Sequence, residues 1–539
     1  MAPPPSEGSA GKKQQQSTFH PCLWDDFFVT FQPPLLAQRA EMQERAGVLM
    51  EQVRKMMKDS NEIPKILHLI LTLERLSLDY HYENEIKQLL DVVSNSNYDE
   101  NDLQLVSNRF YLLRKYRYDV SCDVFRKFQD KEGKFVISDA KGLLSLYNAA
   151  QLRIHGEEVL DEAISFTRKC LLAELERLES PFADEVSSVL VTPLFKTVGI
   201  IEARNYIPCY EKESTQSDAI LELAKLNFNL LQFHFCEELK EVTVWWRKLN
   251  AKSNLSFVRD RVVETYYWMN GASCKPEYSF GRVIATKITC FITIIDDIFD
   301  TYGSTEESMQ LAAAIDRWDE SAIDLLPEYM QEFYLYLLET CNSFGDDLGP
   351  DKSYRVFYLK EAMKQLVRAY SEEIKWRDGN IVPTVSEHLK VSMISIGNVM
   401  VACALFVGMD EPTVETFKWV LSDSRLMNSF GMFVRLTNDV VSTKREQTGE
   451  HIASTVQSYM KEYGTTREVA CGKLKDLIED SWKDMLTEFL APTDLPLVVP
   501  QMILNLSKAS ENMYKYTDAF TTSHMIKDMI SKLFVEPME

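Results

Sequence analysis

Apolar residues recur along this chain at the spacing of a helix. Leu223, Leu226 and Leu230 stand at i, i+3 and i+7, which puts three leucines near one face of a helix with about 3.6 residues per turn. Long stretches repeat that pattern, whereas alternating runs of strand type bounded by turn residues are hard to find, and no repeat of fixed period emerges. Proline and glycine, the residues that break helices, number only 19 each in 539. The pattern predicts an all-α protein.

The clearest interruption is the polar stretch Tyr210-Glu211-Lys212-Glu213-Ser214-Thr215-Gln216, with Ser217 and Asp218 following as caps for a long apolar helix. We therefore expect a disordered leader over 1–17, a helical N-terminal domain over 18–216 without an active site of its own, and a catalytic domain over 217–539. Every cluster of chemically suggestive residues falls after Ser217. The polar segment Lys252-Ser253-Asn254 reads as a loop opening onto a helix that carries Thr265-Tyr266-Tyr267-Trp268.

One apolar run ends abruptly in acid. Phe291, Ile292, Ile294 and Ile295 lead into Asp296-Asp297-Ile298-Phe299-Asp300, so a helix that reads as buried presents three carboxylates. On an α-helix Asp296 and Asp300 stack with Cβ atoms about 5–6 Å apart, and Asp297 is rotated by about 100°. Desolvated carboxylates need a compensating cation, and a divalent metal is the first to consider. A solvated acidic helix end fits the bare spacing as well.

A second cluster narrows the choice. Asn438, Ser442 and Glu446 recur every four residues and form one stripe of amide, hydroxyl and carboxylate oxygens, hard donors suited to Mg²⁺ or Mn²⁺. An exposed polar face would look the same in isolation, but the aspartate motif about 140 residues earlier makes two metal-binding walls the better reading. Arg435, three residues before Asn438, shares that face and either holds a phosphate or is simply solvated. Arg259-Asp260-Arg261 supplies two further guanidinium groups. Trp268, seven residues beyond Arg261, is a core tryptophan or an aromatic face turned to a cation. Tyr514 and Asp518, four apart, form a weaker second pair.

Composition excludes several alternatives. A formal net charge of −22 repels nucleic acid and anionic lipid, so an anionic substrate needs clustered arginines or bound metal. The uncharged stretch 391–409 approaches the length of a membrane helix, but it carries Ser392, Ser395, Gly397 and Asn398 without basic flanks. It predicts a buried core helix, with no membrane insertion. Ten scattered cysteines without Cys-x-x-Cys fit a reducing compartment and argue against structural zinc. The first seventeen residues lack an apolar secretion core and an arginine-rich import pattern, and a cytoplasmic protein is expected. No Gly-x-x-x-x-Gly-Lys loop, Gly-x-Ser-x-Gly, His-Glu-x-x-His or Asp-x-Asp-Asp is present.

With these residues in hand, the chain resembles the plant terpene synthases of the cytosolic sesquiterpene type from Phe19 onward. Asp296 to Asp300 resembles the family's aspartate-rich motif, Asn438, Ser442 and Glu446 its second metal motif, and Arg259-Asp260-Arg261 its arginine loop. Phe19-His20-Pro21, Gly142-Leu143-Leu144-Ser145-Leu146-Tyr147, Trp245-Trp246 and Lys375-Trp376 are similar as well. The resemblance implies a class I terpenoid synthase helical bundle at the C-terminus, preceded by a helical-barrel-like domain. It implies three Mg²⁺ ions, two on Asp296 and Asp300 and the third on Asn438, Ser442 and Glu446, with Asp297 in a supporting role. Arg259, Arg261 and Arg435 would hold diphosphate, and Trp268 would face a carbocation.

Three departures from the family matter. Relatives making ten-carbon products often carry an arginine pair before a tryptophan near the N-terminus; here His20 precedes Trp24 with no such pair, which favours a fifteen-carbon substrate. The family's Asp-Gly-Tyr becomes Asp518-Ala519-Phe520, without the phenol. The usual Pro-Arg before Glu-Ala-Arg is Ile200-Ile201. The expectation is a monomeric, Mg²⁺-dependent enzyme that ionises farnesyl diphosphate. The alternatives are a synthase acting mainly on geranyl diphosphate, a prenyl chain elongator, and a binding protein that captures isoprenoid diphosphates without turnover.

Overall fold

The computed structural model describes residues 21–96, 101–253, 257–446 and 453–539, with the side chains of 444–446 left aside. The expected leader over 1–17 lies outside the described residues. Among those residues the chain is built from helices, with one isolated bridge between Gln129 and Phe135.

The helix Asp218–Ser253, 36 residues long, is the axis to which both halves attach. Leu223, Ala224, Phe228, Leu231, Phe235, Leu239, Val242, Trp246 and Leu249 are buried along it. Apart from the adjacent Leu223 and Ala224 they recur every three or four residues, so one apolar stripe stays inside for about seven turns. Leu226 and Leu230 border that stripe and are half-buried; the leucine spacing marks its edge. The Ser217 carbonyl accepts from the Leu221 amide at 2.9 Å, which opens the helix where the caps were expected. Lys252 and Ser253, read as loop, still belong to the helix, since nothing in that polar stretch forbids helical backbone. Asn254 lies outside the described residues.

Helix Leu36–Asp59 runs against this axis, tied by Arg39 to Glu237 at 2.7 Å and by the fork of Arg45 to Glu222 at 2.6 Å. On the C-terminal side the axis meets helix Ser279–Asp297, where 15 of 19 residues are buried and must therefore pack on neighbours all round. Gly281 lets that helix approach Asn398–Val407, because a Cβ there would sit 2.7 Å from the Leu405 carbonyl oxygen. The buried guanidinium of Arg282 locks the register, with Nη2 donating to Glu238 Oε1 at 2.6 Å and Nε to Oε2 at 3.0 Å.

Two local geometries depart from plain α-helix, and both lie beside the suggestive residues. Past Asp297 the backbone widens into a π turn, Ile298–Tyr302, closed by Gly303 N donating to Ile298 O at 2.8 Å. Asp300 therefore follows Asp296 through a wider turn than the α-helical stack expected. The stretch 391–409 is also two helices, Val385–Ser395 and Asn398–Val407, joined at Gly397 with φ 83°. Although Val385–Val407 is long and apolar enough to cross a membrane by composition, that left-handed glycine redirects it.

One continuous apolar cluster runs from Trp24 to Met538 and includes residues from both halves. Trp482 is fully buried with its ring edge on Phe195, and Arg153 bridges Asp161 and Glu479 across the same contact.

Candidate active site

Helix ends and one turn converge on a cavity of about 430 Å³. Its polar lining begins with Arg259. The backbone N–H of Arg259 donates to Asp297 Oδ2 at 2.9 Å, its Nε lies 2.8 Å from Asp297 Oδ1, and its Nη2 donates to Asp296 Oδ2 at 2.6 Å. Burial opposes the arginine's charge, and Asp297 and Asp296 more than offset it, so its pKa is raised. Asp297 is 2% exposed, and burial pushes its carboxyl up to about 6 although Arg259 pulls the other way. Asp296 and Asp300 are half-buried and line the cavity.

The facing wall is helix Arg425–Glu446. Arg435 Nη1 donates to Asp439 Oδ1 at 3.1 Å and Nε to the Ser392 carbonyl at 3.3 Å. Asp439 also accepts from the Thr455 amide at 2.8 Å, so this carboxylate braces Arg435 and the segment after it. Asn438 reaches the cavity. Ser442, one turn on, is 2% exposed, and its hydroxyl has no hydrogen-bond partner among the described residues. The Glu446 side chain lies outside the described residues.

Aromatic and apolar side chains complete the lining. The indole of Trp268 donates to Ser510 Oγ at 3.1 Å, with Tyr514 edge-on at 5.5 Å and Phe520 at 5.8 Å. Ile292, Val401, Phe430 and Leu506 continue the wall. Helix Val498–Met513 stops before Tyr514, so Tyr514 and Asp518 enter the cavity from a turn.

Nine of the expected residues thus border one space: Arg259, Trp268, Asp296, Asp297, Asp300, Arg435, Asn438, Tyr514 and Asp518. Arg261 is placed differently. It is 2% exposed and donates to the carbonyls of Phe520 and Thr521 at 3.0 and 3.2 Å, so it anchors the C-terminal turn and lies outside the cavity lining.

Comparison with known proteins matches this architecture on both sides of the axis. The profile described as terpene synthase, N-terminal domain, matches residues 23–190, and that of the terpene synthase family, metal binding domain, matches 247–484. The chain belongs to the terpene synthase family. It is similar to a beta-sesquiphellandrene synthase of Sorghum bicolor, 60% identical over 97% of this chain and 96% of the relative. It is also similar to an inactive sesquithujene synthase B of Zea mays, 58% identical over the full length of both. Among solved structures, isoprene synthase from grey poplar, in complex with three Mg²⁺ ions and dimethylallyl-S-thiolodiphosphate, superposes with a TM-score of 0.85 at 28% identity, covering 92% of this chain and 97% of that one.

For a member of this family the donors fit a hard divalent cation. Asp296, Asp300 and Asn438 offer oxygens to the cavity, and the orphaned Ser442 hydroxyl lies on the Asn438 stripe. Among the described residues no three His, Cys, Asp or Glu side chains converge on one point. Mg²⁺ keeps waters and takes one or two carboxylates together with substrate phosphates, so the two aspartates and the Asn438 amide suffice as its protein ligands.

Four residues of this synthase site escaped the sequence reading. Glu373 lines the cavity at 6% exposure; burial pushes its carboxyl up to about 7, against Arg435 and the 2.6 Å bond from Ser395 Oγ. His388, driven down to about 4 by burial, is neutral, with Nδ1 near Ser392 Oγ at 3.1 Å and Thr455 Oγ1 at 3.0 Å. Thr521 meets Arg259 Nη1 at 3.3 Å, and Asp439 braces Arg435. Glu373 stands two residues before Lys375-Trp376, so a family-like stretch flagged its neighbourhood. Asp439 stands four residues after Arg435, a spacing that could have paired them, whereas Thr521 and the His388 contact to Thr455 depend on partners distant in sequence.

Proposed function

We propose that the protein is a sesquiterpene synthase that ionises farnesyl diphosphate, lets the allylic cation cyclise or rearrange, and releases diphosphate. The observation that carries this reading is the lining of a single cavity, which combines carboxylates and guanidinium groups with Trp268, Phe520 and aliphatic side chains. Its volume of about 430 Å³ lies within the range of small-molecule sites, roughly 300–1,000 Å³. The fifteen-carbon choice is supported by the name of the Sorghum bicolor relative and by the absence of an arginine pair before Trp24.

In this proposal Asp296 and Asp300 present one set of cation ligands, and Asn438, Ser442 and Glu446 another, for three Mg²⁺ ions in all. Mg²⁺ bound there supplies Lewis-acid neutralisation of the diphosphate oxygens. Arg259 and Arg435 hold the departing diphosphate through paired N–H donors. Asp297 keeps Arg259 in place from behind. The face of Trp268 attracts the cationic hydrocarbon, and the aliphatic wall excludes water until proton loss or water capture ends the reaction. Arg261 acts at one remove, by fixing the Phe520-Thr521 turn. Residues 18–216 serve as a supporting domain, a division favoured by the separate spans of the two family profiles. The protein is taken to work as a monomer in the reducing cytoplasm, a compartment that suits its ten unpaired cysteines.

A second reading, a binding protein without turnover, is favoured by one observation: a relative 58% identical is named inactive. Gas chromatography of products from purified protein with ten-, fifteen- and twenty-carbon diphosphates separates the two. Terpenes from farnesyl diphosphate with Mg²⁺, lost on chelation and in Asp296→Ala, are expected. Terpene formation that persists without metal would sink the ionisation scheme, and tight binding without product would favour the second reading.

A further inference from the structure

Phe257 lies two residues before Arg259, and Tyr302 two residues after Asp300. Their rings are stacked, with centroids 3.6 Å apart and planes within 4°. Tyr329, at the start of helix Glu328–Leu348, closes edge-on against both, at 6.0 Å from Phe257 and 5.4 Å from Tyr302. Phe257 is 6% exposed, and the π turn, closed by Gly303 N on Ile298 O at 2.8 Å, delivers Tyr302 to it. An uncharged contact therefore joins the segment bearing Arg259 to the turn bearing Asp300.

That contact matters because the charged ties between the same segments compete with the proposed chemistry, and the inference rests on that proposal. Arg259 Nη2 is spent on Asp296, and Arg259 Nε lies on Asp297. If Asp296 is to hold a cation and Arg259 a diphosphate, the Nη2 bond must be exchanged. Three ties survive the exchange: the Arg259 backbone N–H and Nε on Asp297, and the ring stack, which alone depends on no charge and so is indifferent to which partner the guanidinium takes. We propose that Phe257, Tyr302 and Tyr329 are positioning residues, an aromatic clasp that holds the Arg259 backbone within reach of the aspartates while its side chain passes from carboxylate to diphosphate.

The test is the affinity of the full-length protein for inorganic diphosphate in the presence of Mg²⁺, measured by titration calorimetry, with hydrogen exchange of the 257–262 peptide in the metal-free protein alongside. Tyr302→Leu and Phe257→Leu keep apolar bulk but lose the stack. Each is expected to weaken diphosphate binding about ten-fold and to speed exchange of that peptide, as fits one lost aromatic pair. Tyr302→Phe, which keeps the ring, should stay within about two-fold. The double leucine variant should be no weaker than either single one, because both remove the same contact. Tyr329→Leu, which removes only the edge contacts, should fall between and serves if either stack variant fails to fold. Unchanged affinity in the leucine variants, additive losses, or no binding by the unsubstituted protein would each overturn the clasp. Binding that follows this pattern in a protein that makes no terpene would uphold the clasp and overturn the proposed activity.

Discussion

The Ser442 hydroxyl is buried and has no hydrogen-bond partner among the described residues. Leaving a buried donor unsatisfied costs about 1–3 kcal/mol, and in the proposed site a bound cation would take up this oxygen. The same reasoning gives a paired expectation for Ser442→Ala. Melting in chelator should show a protein at least as stable as the parent, by up to about 1 kcal/mol, while the Mg²⁺ concentration for half-maximal activity rises about ten-fold. A less stable variant with unchanged Mg²⁺ dependence would remove Ser442 from the metal site. Four-residue spacing was enough to put Asn438 and Ser442 on one stripe. Nothing in Arg259-Asp260-Arg261 tells its two arginines apart: one faces the aspartates and the other the Phe520 and Thr521 carbonyls, because the turn they meet lies about 260 residues away in sequence.

Among the elements, helix Ser279–Asp297 does most to place the chemistry, and its position depends on a buried ion pair. Arg282 is 0% exposed, and Glu238 also accepts from Tyr266 Oη at 2.9 Å and lies 2.9 Å from His234 Nε2. Burial works against the Glu238 charge, and Arg282 overcomes it, holding the carboxyl down to about 2. Because the folded value is depressed from 4.5, the pair's contribution is present above about pH 4.5 and is lost as pH falls toward 2. Removing one partner of such a pair costs about 3–5 kcal/mol, whereas replacing both with apolar residues costs far less. Arg282→Met should therefore lower the denaturation temperature sharply at pH 7, and Arg282→Met with Glu238→Leu should recover part of the loss. A double variant worse than the single one would show that the pair does not fix this helix. The helix itself was legible from its apolar run, but its last turn was not, since a π turn differs from an α turn by one carbonyl. The break at Gly397 was equally hidden: one glycine among apolar residues is compatible with a continuous helix until its φ of 83° is known.

For the molecule as a whole, the all-α class followed from periodicity and scarce helix breakers, and much of the cavity's polar lining followed from the clusters at Asp296 and Asn438. How firmly the halves adhere did not, because it depends on side chains far apart in sequence. Trp482 from helix Arg467–Leu490 is fully buried, with its edge on Phe195 and the Lys196 ammonium 4.7 Å from its ring centroid. Arg153 and Lys196 both reach Glu479, and Lys483 reaches Asp161. Cutting at the polar stretch before Ser217 would expose Trp482 and strand Glu479 without its cations. Apolar surface returned to water costs about 25 cal/mol per Å², and patches beyond a few hundred Å² drive association. The fragment 217–539, although it carries every proposed cation and diphosphate ligand, is accordingly expected to be aggregated or inactive when expressed alone. Co-expression with 1–216 should restore soluble protein, read by size-exclusion chromatography and product assay. A monodisperse, fully active 217–539 would mean that the N-terminal half contributes no stability to the site and that the shared core from Trp24 to Met538 is two cores in contact.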